Sequence, residues 1–325
     1  MILILSSADD VSTNEVIDWL IYSQITFIRI NIESIVKIKL LKIPECKIIV
    51  EINKESKFEK IEIDLNEITG YWYRRDDINI DTTDVYLNKN ENLNICINEY
   101  LRKELAELYR FLHLFLERRH GVGKFSENKT NKLYNLIVAY DVGFNIPNTY
   151  VVTNKEQFAE INPKNKKLIT KDIGSNIIKY KNFVVGGYTE QISEKDNNDY
   201  NSSFPSLFQE KIEKKYELRV FHLDGKNYTS AIFSQKSKQT STDFRKYSTN
   251  KPNRVVPFIL PGKINSQVNQ FMKKTGMKSG SLDVIVDKDN KYIFLEVNPI
   301  GQFNQVSKPC NYCLEKEIAK YLSMN

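Results

Sequence analysis

The chain has 325 residues, 41% of them hydrophobic and 27% charged, the range of soluble globular proteins and long enough for two or three compact units with their own cores. Its formal net charge of +6 is spread along the sequence and forms no Lys/Arg block interleaved with aromatics, which argues against nucleic acid and leaves room for a few placed cations on an anionic small molecule. No apolar run approaches the length that spans a bilayer, so no membrane role is expected.

The opening Met1-Ile2-Leu3-Ile4-Leu5 has no basic region ahead of it and turns polar at once; it is expected to be a buried strand and not a signal peptide. A helical segment through 15–21 follows, then short β-type runs at 25–32, 38–43, 47–52 and 61–65. Next comes Tyr71-Trp72-Tyr73-Arg74-Arg75, an aromatic strand ending in two arginines. Leu101, Leu105, Leu108, Leu112 and Phe115, spaced by three and four, predict a long amphipathic helix from about Ile95 to Arg119. His113 lies inside it as a packing residue. Gly121-Val122-Gly123-Lys124 is too short for a phosphate loop and is expected to stop the helix. In the second stretch, Lys132 opens a helix through 133–139 that closes before Gly143. Ile146-Pro147-Asn148-Thr149 is a turn feeding a strand, and the strand Leu168-Ile169-Thr170 ends on Lys171. The polar run from Glu194 to Ser203 is expected to be a solvated loop. The third stretch runs from Leu207 through Gln209-Glu210-Lys211-Ile212 and Glu217-Leu218-Arg219 to a hairpin turn at Leu223-Asp224-Gly225-Lys226, and closes with a helix near Leu314 to Leu322. The four cysteines, Cys46, Cys96, Cys310 and Cys313, include one close pair with no nearby His, which predicts free thiols in a reducing cytoplasm.

Two β-rich runs, Ser281 to Val286 and Lys291 to Pro299, flank the polar turn Asp287-Lys288-Asp289-Asn290 and predict a hairpin. A symmetric turn sets Asp283 opposite Phe294, and side chains two apart along a strand share a face. Asp283, Glu296 and Asn298 then converge as three oxygen-bearing groups with no cationic side chain among them, a set that suits Mg²⁺. The competing reading is a hairpin edge with polar residues facing solvent. Lys132, at a helix start where the dipole already favours an anion, and Lys171, at a strand end, are placed to clamp a polyphosphate from two sides. Either is otherwise an ordinary surface lysine.

The order of these pieces (Lys132, Gly143, the 146–149 turn, Lys171, 209–212, Glu217 and Arg219, Asp243-Phe244-Arg245, Asp283, and Glu296-Val297-Asn298-Pro299) resembles the ATP-grasp ligases over roughly the final two-thirds of the chain. Within them it is similar to the graspetide (microviridin-type) peptide maturases. Trp72-Tyr73-Arg74-Arg75 and Cys310-Asn311-Tyr312-Cys313-Leu314-Glu315 look like the grasp-with-SPASM group. The resemblance implies an α/β and α+β ATP-grasp fold: an N-terminal α/β pre-ATP-grasp domain over 1–124, a central subdomain over 125–206, and a C-terminal subdomain over 207–325 carrying the Mg²⁺ site. It implies ATP and Mg²⁺ as cofactors. Lys132 and Lys171 would contact phosphates, the backbone of Gln209, Glu210, Lys211 and Ile212 would read adenine, and Glu217 would bind the ribose. Asp283, Glu296 and Asn298 would hold the metal. Arg219 and Arg245 would hold the acceptor carboxylate and the phosphoryl group bidentately. Asp243 would orient the acceptor or take its proton, with a structural partnership to Arg245 an equal alternative. Arg74 and Arg75 are surface residues by default, and the resemblance turns them toward peptide or site.

The activity so implied is phosphorylation of an Asp or Glu side chain of a ribosomal precursor peptide, closed by a Ser/Thr hydroxyl or Lys amine into an ω-ester or ω-amide. A ligase adding a free amino acid and a non-catalytic peptide-binding protein are the competing readings. The partner is a precursor peptide of leader and core. Any SPASM protein is a separate chain, because four cysteines cannot supply its clusters, and a homodimer is compatible with the resemblance.

Overall fold

The computed structural model describes residues 1–31, 34–43, 47–54, 59–74, 78–80, 91–162, 167–174, 178–180, 183–185, 189–192, 204–234 and 253–324. The chain divides into two compact units, one of residues 1–129, 302–307 and 313–325, the other of 130–301 and 308–312.

The first unit holds β1 (Ile2–Leu5), α1 (Val11–Tyr22), β2 (Phe27–Ile30), β3 (Ile35–Lys42), β4 (Lys47–Lys54), β5 (Glu59–Asp64), β6 (Gly70–Tyr73), β7 (Asn79–Ile80), α2 (Glu91–Leu116) and β8 (His120–Val122). Strands β2-β1-β6-β8 form a parallel sheet. All four residues of β1 are buried, as a continuous apolar run in a parallel sheet requires. Asp10 caps α1 by accepting the Thr13 N–H at 3.2 Å. A second sheet, β5-β4-β3-β7, is an antiparallel meander with β7 added in parallel. His113 is fully buried, hydrogen-bonded to the Tyr71 hydroxyl at 2.9 Å and stacked on Phe125. The Gly121 region is a sheet strand and not a helix stop. A Cβ at Gly121 would lie 1.9 Å from the Tyr71 carbonyl oxygen, so glycine is what lets β8 dock on β6.

The second unit contains α3 (Lys132–Asp141), β9 (Thr149–Val152), α4 (Lys155–Ile161), β10 (Leu168–Thr170), β11 (Ile178–Tyr180), β12 (Phe183–Val185), β13 (Glu190–Gln191), β14 (Ser206–Glu210), β15 (Lys214–Leu223), β16 (Lys226–Phe233), β17 (Arg254–Phe258), α5 (Gly262–Thr275), β18 (Ser279–Asp287) and β19 (Tyr292–Asn298). Then α6 (Asn304–Cys310) and α7 (Leu314–Leu322) close the chain. A small sheet, β13-β10-β14-β9, packs Leu168, Phe208 and Val152 with Phe158 of α4. Strand β14 straddles the 206/207 position and pairs with β10 and β9. Three residues later the chain enters the large antiparallel sheet, β17-β16-β15-β18-β19. One face of that sheet is core: Leu218, Val220, Leu282, Val284 and Val286 cluster with Leu136 and Ala139 of α3 and Val268 and Phe271 of α5. Strand alternation leaves the other face to Glu217, Arg219 and Asp283. The α5 helix is absent from the sequence reading although Ile264, Val268, Phe271 and Met272 have helical spacing and Gly276 stands at its end with φ +74°.

Candidate active site

Arg219 on β15 pairs directly with Asp283 on β18, and Asp283 pairs with Glu296 on β19. A symmetric turn would set Asp283 opposite Phe294, but the turn closes on Val286–Tyr292, which moves the register by one residue, and a bulge moves it by a second. Val284 pairs with Phe294, Asp283 with Glu296, and Leu295 is the extra residue between them. Phe294 and Val297 both reach the core although they lie three apart, which strict alternation forbids and one extra residue permits. Asn298 lies opposite Ser281, one row further along.

The three oxygen-bearing groups do not stand apart from cations, as the hairpin alone suggested. Arg219 Nη1 donates to Asp283 Oδ1 in an ion pair whose side chains are 11% and 15% exposed. Lys132 Nζ lies 3.4 Å from Glu296 Oε2, with 22% and 20% exposure. The result is a row of alternating charge: Lys132, Glu296, Asp283, Arg219. Burial, together with the neighbouring Glu296 and Glu217, pushes the Asp283 carboxyl up to about 6 against the pull of Arg219. Asp283 and Glu296 pair across β18 and β19, and Asn298, two residues along β19 from Glu296, adds an amide oxygen to the oxygen-bearing residues of these strands. Among the described residues no three His, Cys, Asp or Glu side chains cluster. A Mg²⁺ ion needs only one or two protein carboxylates when waters and phosphates complete its shell, so the donor set fits.

Lys132 is the first residue of α3, and the Asn131 side chain already caps the N–H groups of Leu133 and Tyr134 at 2.9 and 3.0 Å. The helix end is thus occupied by Asn131, while the Lys132 ammonium reaches Glu296. Lys171 directly follows β10 and is half-buried. Gln209 is buried on β14 and its amide donates to Thr149 Oγ1 at 2.9 Å. The Glu210 and Lys211 backbone N–H groups donate to Asn148 O at 3.0 Å and Lys167 O at 2.8 Å. Asn148 Nδ2 also donates to Glu210 Oε2 at 2.8 Å, and the Lys211 ammonium donates to Gln191 Oε1. Burial, then Lys167 and Lys214, lower the Lys211 ammonium below its usual range. The segment that joins the two sheets is thus held on both sides. Glu217 shares the Arg219 face, accepting from the Lys214 ammonium and, at 2.8 Å, from the Ser234 hydroxyl. Lys214 and Ser234 went unnoticed in the sequence; Lys214, three before Glu217, was the available signal. Asp243, Arg245 and Arg75, and the loop from Glu194 to Ser203, lie outside the described residues. Arg74 is not at the surface: it is 2% exposed, with Nε 3.3 Å from Asp10 Oδ2.

No family model and no curated protein matches the chain. Among solved structures it is similar to the macrocyclase MdnC bound with precursor peptide MdnA from Microcystis aeruginosa MRC, at 23% identity and TM-score 0.75 with 99% of each chain covered. It is similar to the Chryseobacterium gregarium RiPP-associated ATP-grasp ligase in complex with ADP and a leader and core peptide, at 24% identity and TM-score 0.75, covering 99% of this chain and 94% of that one. The ATP-grasp ligase PsnB, complexed with a phosphomimetic variant of its minimal precursor, Mg and ADP, matches at 15% identity and TM-score 0.67, covering 99% and 97%. The chain therefore has the ATP-grasp fold.

Proposed function

We propose that the chain is an ATP-dependent ligase that matures a ribosomal precursor peptide. The observation that carries this reading is the Lys132–Glu296–Asp283–Arg219 row on one face of the large sheet. It stands in a fold whose solved likenesses, matched along nearly their full length, include ligases bound to precursor peptides. A bound Mg²⁺ would supply charge neutralisation between nucleotide phosphates. Asp283, Glu296 and Asn298 would hold it. Lys132 and Lys171 take phosphate oxygens from two elements. With the Glu210 and Lys211 N–H groups spent inside the small sheet, the backbone that meets adenine centres on Ile212. Glu217, fixed by Lys214 and Ser234, presents its carboxylate toward the ribose hydroxyls.

Arg219 holds the acceptor carboxylate of a peptide Asp or Glu, a role the sequence resemblance also gives Arg245. The γ-phosphoryl group passes to that carboxylate and ADP leaves. A Ser/Thr hydroxyl or Lys amine of the same peptide then attacks the acyl carbon, loses its proton and expels phosphate. Such a transfer needs positioning and charge more than covalent help from the protein. A separate SPASM protein, a homodimer and a cytoplasmic setting belong to the same reading; the free thiols Cys96, Cys310 and Cys313 suit a reducing compartment. Titration calorimetry of ADP with and without Mg²⁺ tests the nucleotide half. Mg²⁺ is expected to tighten ADP binding in the wild type and not in Glu296→Ala; equal effects in both would overturn the metal assignment.

A further inference from the structure

Lys214 lies where the alternation of β15 would bury an apolar residue. Tyr216 and Leu218 pack on the core, and strict alternation would send Lys214 there with them. The pairing of β15 with β18 shifts just at this point. Lys214 lies opposite Asp287 and Tyr216 opposite Val286, so Lys215 is an extra residue. That bulge turns Lys214 onto the face of Glu217, and its ammonium donates to Glu217 Oε1. The Lys214 side chain is 5% exposed and that of Glu217 12%. Just past β16, buried Ser234 donates to the same oxygen at 2.8 Å; it stands two residues beyond Ile232, the cross-strand partner of Glu217. Both donors fall on Oε1, and among the described residues no hydrogen bond falls on Glu217 Oε2.

A buried cation is costly and a bulge interrupts the ladder, so an apolar residue in register would serve the strand better. What the two achieve together is local: one oxygen of Glu217 is occupied from two strands and the carboxylate is held against rotation. Lys214 also bears on Lys211, whose ammonium is lowered first by burial, then by Lys167 and Lys214. Glu217 in turn bears on Asp283. Both effects act through space and leave the two hydrogen bonds to Oε1 in place. We propose that Lys214 is a positioning residue that makes Glu217 read the ribose with one oxygen. Oε1 belongs to Lys214 and Ser234, and Oε2 accepts a single ribose hydroxyl. A carboxylate with both oxygens available would grip the two hydroxyls as a pair. This inference rests on the assignment of Glu217 to the ribose and adds to it how many hydroxyls are read and which residue limits the number.

The test is titration calorimetry on the full chain in Mg²⁺, comparing ADP, 2′-deoxy-ADP and 3′-deoxy-ADP. In the wild type one analogue is expected to bind about tenfold more weakly than ADP, the scale of a hydrogen bond to a charged group, and the other within about threefold of ADP. In Lys214→Met the carboxylate is no longer held, and the gap between the two analogues is expected to close to less than about threefold. Ser234→Ala removes the second donor without removing a charge and is expected to narrow the gap by less. A purely structural lysine would weaken all three ligands alike and leave the gap as it was. Two analogues that both lose about tenfold in the wild type overturn the one-oxygen reading and leave Glu217 on the ribose. A gap that survives intact in Lys214→Met, or in Ser234→Ala should the Met chain not melt cooperatively, overturns the positioning role. Two analogues that bind the wild type as ADP does take down the ribose assignment itself.

Discussion

Gly301, just beyond the strand that carries Glu296 and Asn298, has no room for a side chain. A Cβ there would stand 2.2 Å from Ser281 Oγ, 2.4 Å from Ser281 Cβ and 2.7 Å from its backbone nitrogen. Ser281 is fully buried and pairs with Asn298, so the clash falls on the carboxylate hairpin itself. Gly301→Ala is expected to cost about 1–3 kcal/mol, read as a lower melting temperature, because neither side of the contact is a flexible side-chain end. An unchanged melt would show that the strand exit yields freely. Arg74 makes the opposite point about a charge. Its guanidinium lies 5.7 Å over the Phe303 ring and pairs with Asp10, both side chains 3% exposed. Arg74→Leu removes the guanidinium from beside buried Asp10 and is expected to destabilise the fold by about 3–5 kcal/mol, the scale of losing one member of a buried pair. Denaturant titration checks it; a loss below about 1 kcal/mol would mark the pair as dispensable. Nothing in the local sequence around Arg74 announced this pair; it depends on Asp10, brought in from the start of α1.

At the scale of elements, the β15–β16 hairpin is set by Asp224 and Gly225, both with positive φ (41° and 88°), and the sequence announced it through Asp-Gly. Its neighbour His222 was silent. His222 Nδ1 donates to Asn227 Oδ1 at 2.7 Å while Nε2 accepts the Gly225 N–H at 3.1 Å, an arrangement open only to neutral imidazole. Burial lowers its pKa below the ordinary 6.5, outweighing Asn227 and Asp224, which raise it. A depressed folded pKa means the unfolded chain binds the proton more tightly. This contribution to stability is therefore present above pH 6.5 and is lost as pH falls through the folded value. His222→Gln is expected to flatten that acid limb in urea titrations from pH 7 downward; an identical limb in the variant would assign it to other groups. The carboxylate hairpin shows where sequence reading stops. Alternation and the polar turn made β18 and β19 legible, but the residue that bulges is chosen by the core, which takes both Phe294 and Val297. That choice is what puts Glu296, and not an apolar side chain, across from Asp283.

At the scale of the whole molecule, the ATP-grasp fold was legible because the sequence carries an order of short polar motifs. Lys132, Glu217, Arg219, Asp283, Glu296 and Asn298 all stand in one compact unit. The pairing among them was not legible, since it needs the register of β15, β18 and β19 and the docking of α3 on β19. The first 129 residues build their own unit, to which 302–307 and 313–325 return, a discontinuity that no local pattern encodes. The activity proposed for this chain is ring closure within a peptide. Its most direct test is the intact mass of a Thr-, Ser-, Glu- and Asp-rich precursor encoded beside the gene, after incubation with the chain, ATP and Mg²⁺, with Glu296→Ala as control. Loss of one water per ring is expected with the wild type alone; a gain equal to an added amino acid, or an unchanged mass while ATP is bound, would contradict ring closure.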